Sequence, residues 1–423
     1  MPNRPSPFCF RLSDVCRVAL FAVLTLSAAR PTMAAAPYWP RFHGPAGDNK
    51  SPATGLLKEW PEGGPELVWT AEGLGEGFAS VSLAHGNIYT AGNIDEQTVV
   101  MALDLDGRKV WQTACGEAWT KSHSGTRSTP TIDGDRLYYE TPLGDLVCLN
   151  AHTGQRIWGL NILDQFAGKN IRWALAESPV VDGDLLICCP FGDLGSVVAL
   201  NKKTGKTVWA AESVGDRAGY ATPAIAEFAG RRMVLTMSSK ALVGVDISNG
   251  DLLFRHEHIT RYDVNALTPI CVDGHVFISS GYGSGSELVK LTATEGRITA
   301  EQVWENKDLD NHHGGVVLLD GHVYGADFRR YWLCLDWETG QTEYQERGVG
   351  KGSLTYADGM LYTLSEKRGT VGLVKPTPAE HKLVSEFTIP EGGEGPVWAH
   401  PVVCDGRLYI RHGDLLFAFD VKQ

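Results

Sequence analysis

From about residue 60 onward the chain alternates short apolar runs with polar turns, and the 3.6-residue spacing of a helix is almost absent. Runs rich in Val, Leu, Ile and Tyr, bounded by Gly, Asp and Asn, predict strands. The runs repeat. The pattern x-D-G-x-apolar recurs as "AHGNIYT", "IDGDRLYYE", "VDGDLLICC", "FAGRRMVLTM", "VDGHVFISS", "LDGHVYGAD", "ADGMLYTLS" and "CDGRLYIRH". Its glycines, Gly86, Gly134, Gly183, Gly230, Gly274, Gly321, Gly359 and Gly406, stand 38 to 49 residues apart. A sustained period of that size marks a solenoid or a propeller, and it overrides the two or three domains that the length alone suggests.

Each repeat has a second half, as in "VVMALDLDGRKVWQT", "DLVCLNAHTGQRIWGL" and "SVVALNKKTGKTVWAA". An apolar strand runs into a polar turn ending in glycine (Gly107, Gly154, Gly205, Gly250, Gly340), and the next strand ends in an aromatic residue. The turn glycines answer a need for positive φ. Trp69, Trp111, Trp158, Trp209 and Phe254 share one position, with Tyr344 close to it, and a large flat side chain recurring there predicts packing on the neighbouring unit. Every repeat therefore predicts four short antiparallel strands. Eight of them make an all-β, eight-bladed β-propeller, whose radial closure protects its sheet edges. The last repeat stops after "DLLFAFDVKQ", one strand short, and the missing strand with its Trp is "ELVWTAEG" near the other end, so one blade is expected to combine both termini.

The D-G hairpins and the A-L-D-x-x-T-G-x-x-x-W strands resemble the PQQ-type propeller repeat of quinoprotein alcohol dehydrogenases and of the BamB-like assembly propellers. The segments "YWPRFHGPAGDNKSPATGLLKEWP" and "GPVWAHPVVCDGRLYIRHGDLLFAFD" resemble exported PQQ-like propellers of the planctomycete type. The resemblance spans residues 60–423 and implies a fold without fixing an activity.

Arg4, Arg11 and Arg17, the apolar run "VALFAVLTLSAA" and the small residues of "RPTMAAA" form the three regions of a secretory leader, placed at residues 1–35. The run is too short for the roughly 20 residues that span a bilayer. Residues 36–59 form an N-terminal extension before the propeller. The expected product is periplasmic or secreted, with no membrane span after leader cleavage. The net charge of −12, about −15 without the leader, and the lack of basic runs argue against a nucleic-acid partner.

Both kinds of tight turn fall on one face of the ring, and the long connections fall on the other, where sites are commonly built. His123, Arg127, Glu177, Tyr220, Asn265, His312, His313, Lys351, Trp398 and His400 are expected at the channel mouth there, ready for a small-molecule ligand or a protein. The clusters "HEH" at 256–258 and "NHH" at 311–313 lack the fixed short intervals of zinc motifs, and no metal site is expected.

The resemblance to quinoprotein dehydrogenases implies a different site, with PQQ, a Ca²⁺ held by acidic and amide ligands, an Asp base, and adjacent cysteines in a loop against the cofactor. Here Cys188 and Cys189 follow a D-G turn at the end of a second strand, so they read as strand residues pointing to opposite faces. There is no CxxCH for an attached haem. The sequence thus favours a non-catalytic ligand-binding or assembly scaffold without a cofactor. The alternative is a PQQ- and Ca²⁺-dependent dehydrogenase of an alcohol or sugar.

Overall fold

A computed structural model describes residues 37–423, and the leader segment lies outside the described residues. Eight antiparallel sheets, one per repeat, make the eight blades. Blade 1 runs from Ser82–Ala84 to Lys109–Glu117, blade 2 from Thr131–Asp133 to Arg156–Asn161, and blade 3 from Val180–Asp182 to Thr207–Ala210. Blades 4, 5 and 6 open on Ala224–Phe228, Ile270–Val272 and Val316–Leu319, and blade 7 on Gly352–Ala357. Blade 8 holds Val402–Cys404, Arg407–His412 and Leu415–Asp420. Its outer strand is Glu66–Ala71, paired antiparallel with Leu415–Asp420, so both ends of the propeller meet in one blade as expected. Among the described residues helix is confined to Ile162–Gln165 and a 3-10 turn at Arg261–Asp263, and none is long and apolar enough to cross a membrane.

Second and third strands are buried on both faces, and their side chains form clusters that each bridge neighbouring blades. Leu83 and Met101 of blade 1 meet Tyr409 and Leu416 of blade 8, for instance. The predicted aromatic position makes a specific joint. Trp69, Trp111, Trp158 and Trp209 each lay the indole over the turn of the next blade and donate Nε1–H to a carbonyl there, of Leu105, Ala151, Lys202 and Ile247, at 2.9–3.1 Å. The turn glycine is required by contact as well as by φ. A Cβ on Gly154, at φ 70°, would stand 2.5 Å from the Trp111 ring.

Two features escaped the sequence reading. Trp304 makes the same joint with the carbonyl of Trp337 at 3.0 Å, but its blade has a ten-residue hairpin arm that shifts the spacing. The outer strand of each blade is also bulged, and in every blade but the seventh the bulge falls just before the aromatic, so Trp69 pairs Ala418, Trp111 pairs Ala102 and Tyr344 pairs Cys334 after one skipped residue. The extra residue turns the ring toward the next blade and breaks the flat outer edge.

The N-terminal extension goes further into the fold than expected. Trp39 exchanges two backbone hydrogen bonds with Leu83, and Ile132 N–H donates to the Pro40 carbonyl. The chain then crosses the bore to blade 7, where Lys50–Ser51 adds a parallel fifth strand beside Gly352–Ala357. Asn49 fixes the crossing by donating to the Leu354 carbonyl at 2.5 Å. Residues 39–49 thus plug the bore.

Candidate functional site

The plug turns the loop-face end of the bore into a cup of about 360 Å³. Phe42 forms part of its floor and also lines a second space, of about 340 Å³, on the turn side of the plug. The connections between blades supply the wall. His123, Arg127, Tyr220, His312, His313, Lys351, Trp398 and His400 all line the cup, as expected of the channel mouth.

Glu177 and Asn265 do not line it. Asn265 is fully buried, donates to the Ser238 carbonyl at 2.8 Å and accepts from Ser280 Oγ at 2.6 Å, so it ties two connections together. Glu177 points behind the wall, where it accepts the Cys189 N–H at 2.6 Å. Aromatics that the sequence reading passed over complete the lining, namely Phe42, Phe78, Trp173, Tyr282 and Phe328. Tyr282 and Phe328 follow the second strands of blades 5 and 6, and such connections also open on this face.

The polar groups form one chain of contacts. His400 Nε2–H donates to the His313 carbonyl at 2.8 Å, which leaves His400 Nδ1 to accept from His43 Nε2 at 3.3 Å. Glu366, behind the wall, gathers Lys351 Nζ at 3.1 Å, His313 Nε2 at 3.1 Å and Trp398 Nε1 at 3.0 Å on one oxygen. Lys351 also donates to His312 Nδ1 at 3.0 Å. Burial pushes the Glu366 carboxyl up, but the His313 hydrogen bond and the Lys351 charge outweigh it and bring the group to about 2. Burial lowers all the surrounding histidines, His43, His312, His313 and His400, so they are neutral near pH 7.

Arg127 differs from Lys351. Its guanidinium donates to the carbonyls of Gly125 and His123 and lies over the rings of Phe78 and Trp119, at 5.7 and 5.9 Å from their centroids. Among the described residues no carboxylate pairs with it, and burial lowers it to about 10. With Lys351 balanced by Glu366, the cup carries one uncompensated positive charge within an aromatic wall.

The histidine pair at 256–258 is used elsewhere. His256 and His258 both bind Glu287, at 3.0 and 2.7 Å.

Cys188 and Cys189 are free thiols, buried beside blade 3's inner core and behind the cup wall. Cys188 ends the second strand and faces Glu140 of blade 2, while Cys189 contacts Thr236 of blade 4. Cys189 lies just past the strand end, and Glu177 neighbours both thiols.

The family described as "Outer membrane protein assembly factor BamB" matches residues 60–189 and 95–346. Outer membrane protein assembly factor BamB of Shewanella oneidensis is 24% identical over 380 residues, which cover 82% of this chain and 86% of that protein. The crystal structure of BamB from Moraxella catarrhalis superposes with a TM-score of 0.59 at 17% identity, covering 85% of this chain and 98% of that one. Quinohemoprotein alcohol dehydrogenase from Comamonas testosteroni superposes with a TM-score of 0.64 at 14% identity, over 91% of this chain and 80% of that one. These structural likenesses bear on the fold alone.

Proposed function

We propose that this chain, which belongs to the PQQ-like propeller family described as outer membrane protein assembly factor BamB, is an exported, non-catalytic binding propeller whose loop-face cup receives an acidic group carried on an apolar or aromatic body. The observation that carries the reading is Arg127, a guanidinium held in place by two carbonyls, flanked by aromatic rings and lacking a carboxylate. A buried cation without its counter-ion is costly, and an incoming anion relieves that cost with charge-assisted hydrogen bonds. Tyr220 and Trp398 offer flat anchors beside it, and the plug supplies a floor, so the cup suits a small acid or the acidic tip of a protein partner. The leader-like pattern of residues 1–35 and the assembly role in the family's name support a scaffold working outside the cytoplasm.

The dehydrogenase alternative asks for more than the cup offers. Its lining has no Asp or Glu to act as base or to bind Ca²⁺. Glu366 is already engaged by three donors, and the adjacent cysteines stand behind the wall. These residues do not fit PQQ with Ca²⁺.

The test is calorimetric titration of the purified protein with a panel of aromatic and aliphatic carboxylic acids, repeated with Arg127→Gln. Binding by the wild type that the substitution removes supports the reading. PQQ-dependent absorbance with dye-linked alcohol oxidation would replace it with the dehydrogenase.

A further inference from the structure

Behind the cup wall, between blades 2 and 3, three side chains with metal-binding atoms converge without a cation. Glu140 ends the second strand of blade 2, Cys188 ends the second strand of blade 3, and Glu177 lies in the connection leading into blade 3. Their ligand atoms all lie within 4.8 Å of one another. The three residues are 1%, 0% and 6% exposed.

Glu140 is the anomaly. Both of its carboxyl oxygens are buried with no hydrogen-bond partner, although the side chain is aimed at Glu177 and Cys188. Glu177 has one backbone donor, from Cys189. A buried carboxyl group without donors is expensive, and a protein meets that cost with a proton or with a cation.

We infer that Glu140, Glu177 and Cys188 form a binding site for a thiophilic divalent cation of the zinc class, held behind the cup wall. The donor set selects the metal. Two carboxylate oxygens suit many divalent ions, but a thiolate selects Zn²⁺ and its spectroscopic substitute Co²⁺ over Ca²⁺ or Mg²⁺. Zinc bonds of roughly 2.0–2.3 Å place ligand atoms about 3.5 Å apart in a tetrahedron, so the three side chains need close in by only about 1 Å.

Three protein ligands leave a fourth position open. Beside Glu177 and Cys189 lies a space of about 10 Å³, the size of one water, bounded by Tyr220 and Ala176, which also line the cup. Binding displaces the Cys188 thiol proton and any proton held by the carboxyl pair. The inference is independent of what the cup binds, because it uses none of the acid-binding groups.

The experiment is titration of chelator-treated full-length protein with Co²⁺, followed by Zn²⁺. One equivalent of Co²⁺ should bind with a near-ultraviolet thiolate-to-cobalt band, which Zn²⁺ abolishes by displacement and Ca²⁺ does not. Cys188→Ser should remove the band, whereas Cys189→Ser, outside the set of three ligands, should keep it. Glu140→Gln should weaken Zn²⁺ at least tenfold and reduce the rise in Tm that saturating Zn²⁺ gives the wild type. That last readout needs only a folded protein and stands even if the cysteine variants do not fold. No cobalt uptake by the wild type, a band that survives Cys188→Ser, or equal Zn²⁺ stabilisation of wild type and Glu140→Gln would each overturn the site.

Discussion

At the outer rim Trp69, Trp111, Trp158, Trp209 and Trp304 repeat one contact five times, each ring over the next blade's turn and each Nε1–H on a carbonyl there. In the bore the connections contribute unlike side chains: Arg127 from one, Trp173 from the next, Tyr220 from the one after, and further on His312 with His313, Lys351, and Trp398 with His400. One demand recurs around the rim, because each blade must cover its neighbour's turn, and the Trp gives way only in blades 4, 6 and 7, to Phe254, Tyr344 and Ser385. Nothing in the ring's geometry forces an unpaired guanidinium or a buried Lys351–Glu366 pair on the bore. Repetition here marks what holds the fold, and its loss marks where the molecule meets something else.

The most damaging way to break the rim is to remove its closing strand. Deleting residues 66–71 leaves Leu415–Asp420 as an open edge beside blade 1, and the protein should aggregate or lose its cooperative melt by scanning calorimetry. Next comes a single joint. Trp209→Ala removes a nearly buried ring and its hydrogen bond and should cost about 3–5 kcal/mol in chemical denaturation, whereas a substitution at the exposed Val208 beside it should cost under about 1 kcal/mol.

The bore should respond to acid. Glu366 is at about 2 in the folded protein against an ordinary 4.5, so its contribution, on the order of 3 kcal/mol, is complete above the ordinary value and is lost as pH falls through 2. Glu366→Gln should flatten that part of the stability–pH curve and lower stability at pH 7. The smallest effect on stability is expected at Arg127. Arg127→Met should leave Tm unchanged or slightly raised, because it removes a partly buried cation with no carboxylate, while abolishing acid binding in calorimetry. An equal loss of stability at Arg127 and Trp209 would erase the distinction between rim and bore.

The sequence made the rim legible because its demands fall on fixed residue types at fixed spacing. Gly107, Gly154 and Gly205 do hold positive φ, and the Trp position recurs. The bulge before each Trp was not legible, since any residue can be skipped, and neither was Trp304, displaced by a longer hairpin. For the bore, the long connections located the right face and brought His123, Arg127, Tyr220, His312, His313, Lys351, Trp398 and His400 to one cup. Chain position does not tell which way a side chain leaves a connection, and so Asn265 turned to the Ser238 carbonyl and Glu177 to Cys189. The floor was hidden for another reason. Phe42 reaches the cup from the N-terminal extension, and its neighbour His43 meets His400 across almost the whole length of the chain.

Where blade 8 meets blade 1, the fully buried Arg411 sends its donors to the carbonyls of Gly413, Ala79, Ala91, Leu74 and Gly75 and to Thr90 Oγ1. That seam gives the molecule a timetable. Glu66–Ala71 emerges from the ribosome early, but its partner Leu415–Asp420 follows roughly 350 residues later, which at about 5–20 residues per second means roughly 20 to 70 s of synthesis. Through that interval the plug has no blade 7 to cross to and Arg411 does not yet exist. Seven blades can stack as they are made, while the eighth, the floor of the cup and the seam wait for the final stretch of chain. Ring closure is therefore the last folding event, and a nascent chain halted before blade 8 is an open arc with an apolar sheet face exposed at each end.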